Sequence, residues 1–154
     1  MKKMLIALSI IIPAMSAHAE STEQLSSLAD VISVLNRGAT VSVTVDLTRC
    51  APAGDTTMQG STRGGLKINT YQVLSDGSLY FADERTTVST YGDQRFQSTF
   101  WNPNWLSVRY NLRADQTISV ATEIFSFPGY FRVAGNSDYT CAVNQGIEFY
   151  TKRN

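Results

Sequence analysis

Residues Val41 to Cys50 read VSVTVDLTRC. Val41, Val43, Val45 and Leu47 alternate with Ser42, Thr44 and Asp46, the period-2 signature of a strand with one buried face. A cysteine closes the stretch, and the only other cysteine, Cys141, lies near the far end of the chain. If the two pair, this strand is tied to the C-terminal strands and the intervening chain becomes one closed unit.

Upstream, Lys2 and Lys3 precede an apolar run from Met4 to Met15, broken only by Pro13, and Ala17-His18-Ala19 has the small-x-small form of a cleavage site. These features predict a secretory leader cut after Ala19. The apolar run is too short for a bilayer, which needs about 20 residues, so no membrane span is expected in the mature form. The sequence thus divides into a leader, 1–19, and a single domain, 20–154.

Removing the leader takes Lys2 and Lys3 from a balance of 13 basic and 13 acidic residues. The net charge becomes about −2, no electrostatic footprint for nucleic acid or an anionic membrane surface. It also takes His18, the only histidine. Ser-His or Cys-His nucleophilic catalysis and a His-ligated zinc site are then excluded. No metal or other cofactor is expected, and the partner is an unspecified protein or small molecule. In an oxidising compartment two distant cysteines are most simply one disulfide, with two separate buried thiols as the alternative. No Cys-x-x-Cys spacing points to redox catalysis.

Between leader and strand, Leu25, Leu28, Ile32 and Leu35, with Val31 beside them, make an apolar stripe at helical spacing. Ser21 and Gln24 resemble a capping box, and Gly38 after Arg37 is a stop, so a helix is expected over Ser21 to Arg37. Downstream, Ala51 to Gly65 is Gly-, Ser- and Thr-rich without periodicity and reads as a long loop, suited to a partner-binding role. Its Gly64-Gly65 lacks the Gly-Lys-Ser/Thr context of a phosphate cradle. Leu66 to Leu74 and Ser78 to Tyr91 form a hairpin around Asp76-Gly77. A turn at Tyr91 to Asp93 leads to a short strand, Gln94 to Trp101, and Asn102-Pro103-Asn104 reads as a turn. Leu106 to Leu112 alternates cleanly, followed by strands over Gln116 to Phe127, Tyr130 to Val133, Tyr139 to Val143 and Ile147 to Lys152. The expectation is a mainly β (α+β) fold: an N-terminal amphipathic helix on an antiparallel up-and-down meander of seven to eight strands, barrel-like or strongly bent.

Trp101, Trp105, Tyr110 and Tyr130 could form an aromatic platform for a ligand, with core packing as the alternative use. Asp83, Glu84 and Glu123 could supply paired carboxylates for polysaccharide hydrolysis, which needs two carboxyl groups roughly 5–10 Å apart; solvated strand charges are the ordinary reading, and no catalytic residue is assigned. Arg95, Arg109 and Arg113 could make a basic patch or pair across strands with acidic neighbours.

The order of features resembles the VirK family of small exported bacterial proteins. An amphipathic helix ends in Asn36-Arg37-Gly38, a Val-rich strand runs through Val45-Asp46-Leu47-Thr48-Arg49-Cys50, and a Gly-rich loop leads to a β-rich remainder with one late cysteine. The resemblance extends over the whole mature chain. It implies export, the Cys50–Cys141 pairing and an association with virulence or host interaction, and it carries no catalytic residues to transfer. The expected function is therefore an exported, periplasmic or secreted, non-enzymatic binding protein, with a histidine-independent envelope polysaccharide hydrolase as the alternative.

Overall fold

A computed structural model of the chain describes residues 21–93, 98–126, 128–132 and 137–153, with the backbone alone for 87–93 and 98–102. The leader, Arg95 and the expected start of a strand at Gln94 lie outside the described residues.

The helix is shorter than the sequence suggests. Thr22–Leu25 is a strand, β1, and helix α1 spans Leu28–Asn36. The periodic stripe is satisfied by Leu25 in either conformation, but Leu25 lies opposite Phe149 in an antiparallel pairing with the last strand. Its burial comes from that distant pairing. The capping signal sits six residues later: the Ser27 Oγ accepts the Asp30 N–H at 3.2 Å and donates to the Asp30 carboxylate at 2.7 Å. At the other end Gly38 takes a φ of 76°, Gly38 N–H donates to Leu35 and Ala39 N–H to Val34, a Schellman closure. Leu28, Val31, Val34 and Leu35 are buried, each stabilising the fold by about 2 kcal/mol.

The valine stretch forms β2, Val41–Asp46, and then a 3₁₀ turn over Leu47–Arg49. The expected long loop is interrupted by β3, Ala51–Ala53, and contains the start of β4, Arg63–Lys67. A short β5, Tyr71–Val73, turns through Asp76-Gly77 into β6, Leu79–Asp93. β7 is Ser98–Leu112 and β8 is Thr117–Ser126. β9, Ser137–Val143, and β10, Gly146–Lys152, complete the chain.

Several expected breaks are absent. β6 continues through Tyr91 to Asp93, and β7 runs through Asn102-Pro103-Asn104, in register with Thr87 to Ser89. Turn-forming composition is overridden there by a continuous ladder along a neighbouring long strand. In Tyr130 to Val133, Arg132 makes a single bridge with Phe125, and Val133 lies outside the described residues. Three of the turns share one device: Asp46, Asp76 and Asp115 each accept both the N–H and the hydroxyl of the Thr or Ser two residues on.

The main path of the sheet is β4-β2-β10-β9-β8-β7-β6-β5, with β1 on β10 and β3 on β9. From β5 to β9 it is the expected antiparallel meander. The last step departs from it: β10 runs parallel to β9, with Gly146 opposite Ala142. Asn144, at φ 63°, carries the chain sideways into the next lane without reversing it. β2 and β3 follow the same crook antiparallel, β2 along β10 and β3 along β9. The Cys50–Cys141 disulfide crosses at that crook, with the Cα atoms 4.5 Å apart.

β4 and β5 end the main path on opposite sides, yet three residues join them. That link spans at most about 14 Å, so the sheet must curl until its two borders meet at one end. There α1 covers the opening: Leu28 N–H donates to Gln116 Oε1 and Tyr71 O–H to Asn36 Oδ1. Among the described residues no helix is long and apolar enough to cross a membrane.

Candidate functional site

Cross-strand partners share a face, so the register fixes what points inward. Near the helix the interior is filled by Leu79, Leu112, Ile118 and Val41, and above them by Phe81, Tyr110, Val120, Phe149 and Val43, all buried. Phe81 and Tyr110 stack with ring centroids 4.8 Å apart. The next layer is built from small or polar residues: Gly64 opposite Val45, Asp83 opposite Val108, and Val108 opposite Thr122. Large residues below and small ones above leave a cavity of about 370 Å³, within the range of ligand pockets.

Its walls are mainly apolar, with Leu47, Leu66, Leu106 and Ile124 around the upper part and Tyr110 at the floor. Gly64 is on the wall, and a Cβ there would meet no atom within 4 Å, so the missing side chain is part of the open volume. Asp83 and Arg85 line the cavity too, joined at 3.7 Å. The Arg85 side chain is 54% exposed against 25% for Asp83, so the guanidinium reaches towards solvent while the carboxylate stays at the mouth. Such a loose, partly wet pair contributes little stability. Asn104, 2% exposed, supplies a buried amide to the lining. Burial, reinforced by the Asp83 charge and offset by Arg85, pushes the Tyr110 hydroxyl up to about 12. Tyr110 is thus a neutral donor across the physiological range.

The expected aromatic platform is divided. Tyr110 is inside the cavity wall, whereas Trp105 stands on the opposite face of β7, 6.5 Å from the exposed Tyr130 ring. The Trp101 side chain lies outside the described residues. The carboxylates are divided too: Asp83 lines the cavity, and Glu123 faces outward, held by Arg109 at 2.8 Å and Arg132 at 3.7 Å. Glu84 shares the outward parity of Glu123, with Ser107 of β7 between them, so two of the three candidate carboxylates come to one face, where Glu123 is engaged by the two arginines. The Arg109 and Arg113 patch is not assembled either; Arg109 pairs across strands and Arg113 donates to Ser119. The Ala51–Gly65 segment is held down at its middle, where Gln59 Nε2 donates to the carbonyls of Leu47, Thr48 and Cys50.

Sequence reading misses Gly64, Arg85 and Asn104 as cavity residues. A signal for Arg85 was present, since Leu79, Phe81, Asp83 and Arg85 share one parity. Nothing local marks Asn104, which reads as a turn residue until the ladder of β7 is known.

The sequence matches the VirK protein family over residues 24–130. It is 32% identical to an uncharacterized protein, y4wH, of Sinorhizobium fredii, over 99% of this chain and all of that one. It is 31% identical to an uncharacterized protein encoded in the pinF2 3′ region of Rhizobium radiobacter, over 85% of this chain and 84% of the relative. Among solved structures, the crystal structure of lpg1832, a VirK family protein from Legionella pneumophila, superposes with a TM-score of 0.62 at 16% identity, covering 82% of this chain and 97% of that one. At that identity the likeness speaks to the fold alone. The family match and the near full-length relatives agree: this chain belongs to the VirK family.

Proposed function

We propose that this protein is an exported, virulence-associated binding protein that takes the apolar part of a ligand into the cavity above Tyr110. The leader-like segment Lys2 to Ala19 and the paired cysteines support export to the periplasm or beyond. The single observation that carries the binding reading is the cavity itself: about 370 Å³ of apolar-walled space with Asp83, Arg85 and Asn104 at its polar edge. A barrel interior with no ligand to hold is ordinarily filled by side chains, and here the lining glycine and threonines leave it open.

The test is native mass spectrometry of the full chain purified from its own compartment, beside Gly64→Leu. Space around Gly64 is free and its backbone φ is not left-handed, so leucine fills the cavity without strain. The expected result is a bound mass on the parent, or saturable uptake of a hydrophobic fluorescent probe, reduced at least tenfold in Gly64→Leu at an unchanged melting temperature. Equal binding by the two proteins would refute the cavity as the site.

A further inference from the structure

The wall of the curled sheet has one seam. β5 pairs with β6 through Leu79, Tyr80 and Phe81. From Ala82 onward the outer edge of β6 has no strand partner among the described residues, and the outer edge of β4 has none along Arg63–Lys67. β5 pairs with β6 at the helix end, from Tyr71 to Val73; beyond Tyr71 no strand among the described residues lies between β6 and β4. An outer groove of about 710 Å³ follows it, lined by Lys67, Tyr71 and Tyr80 to Glu84. Asp83 borders both this groove and the inner cavity, so the two spaces meet at the seam.

We infer that the seam takes an extended peptide segment of a partner protein as an added strand, which deepens the binding reading above by naming the class of ligand. Two strand edges without a strand partner among the described residues face one lane, a pattern that an extended backbone can satisfy on both sides. The five residues of β4 set the length, about 17 Å of strand. Every second side chain of the guest points inward. Beside Gly64 it enters open apolar space, so a bulky apolar residue belongs there. The next inward position, one level further from the helix, meets the Arg85 guanidinium, so a hydrogen-bonding residue belongs there.

A second copy pairing antiparallel along β6 would set Asp83 of one molecule beside Arg85 of the other, an attractive pair, so dimerisation of the parent through 82–86 in place of peptide uptake would overturn the inference. On its outward positions the β4 rim carries Lys67 and Arg63, the latter paired with Asp46 at 3.1 Å, and the β6 rim carries Glu84. A guest with mixed charge on its outward positions is complementary to both rims.

The probe is a displayed library of random nonapeptides, selected on the purified disulfide-bonded chain and counter-selected on Gly64→Trp. The expected winners alternate apolar and polar residues. They bind Gly64→Leu and Gly64→Trp at least tenfold more weakly, with both variants melting like the parent, and protect amides of 63–67 and 82–86 from hydrogen exchange. N-methylation of a winner's backbone abolishes binding while keeping its side chains. No enrichment over Gly64→Trp, winners indifferent to N-methylation, or protection elsewhere would overturn the inference. A non-peptide molecule retained by the parent and lost in Gly64→Leu would overturn it while upholding the cavity as the site; absence of both kinds of binding on the parent would overturn both.

Discussion

Replacing Cys50 and Cys141 by alanine opens a loop whose ends are 91 residues apart in sequence. In the chain-entropy account, closing a loop of that length stabilises the folded state by about 4.6 kcal/mol. The native state loses little else. Both cysteines are buried, 3% and 4% exposed, so the substitution leaves neither charge nor unpaired polar group behind. At about 2.1 cal/mol/K of unfolding entropy per residue over roughly 130 residues, the loss corresponds to a fall in melting temperature of about 17 °C. Thermal unfolding followed by circular dichroism, with the parent in oxidising and reducing buffer beside the double variant, measures it. The reduced parent and the double variant should melt together, well below the oxidised parent. Hydrogen exchange should rise first at the crook where β2 and β3 meet β9 and β10, because only the bond and short pairings hold it. A double variant melting within about 3 °C of the oxidised parent would refute the reasoning, since a loop of this length cannot close for so little unless the unfolded chain is already compact.

Gly146→Ala should destabilise the oxidised protein by more than about 2 kcal/mol, because φ is 102° and a Cβ would lie 2.6 Å from Cys50 Sγ; in the disulfide-free background part of that cost should vanish, and a denaturant-melt double-mutant cycle reads the coupling. Tyr110 contributes stability that is complete below the unfolded tyrosine value near 10 and is lost as pH rises towards its folded value of about 12, so unfolding free energy should fall by up to about 1.4 kcal/mol per pH unit across that window; urea melts of Tyr110→Phe should lack this component. Ser27→Ala should cost about 1 kcal/mol through the lost N-cap while Ser21→Ala leaves helix stability unchanged, and equal effects in chemical denaturation would contradict the observed helix start.

Much of the fold is written locally. The alternation of Val41 to Leu47 and of Leu106 to Leu112, the Asp-Gly turn before β6 and the Gly38 stop each depend on neighbours within a few residues, so periodicity and turn chemistry are sufficient to read them. The pairing partner for Cys50 follows from composition in the same way. The elements that depend on distant partners were not legible. Thr22–Leu25 is extended because Leu25 lies across from Phe149, and residues 102–104 stay in β7 because β6 runs beside them. The parallel step from β9 to β10 follows from a sideways turn at Asn144 whose consequence is the lane that β10 enters. Apart from Tyr110, named as a possible ligand residue, the candidate site belongs to this second class. A cavity is a deficit of volume summed over residues far apart in sequence, here Gly64, Asp83 and Thr122 at one level of a curled sheet. The sequence alone decided the locally patterned strands and the covalent tie; curling the sheet until β4 and β5 met decided which faces turned inward, and with them the cavity and its open seam.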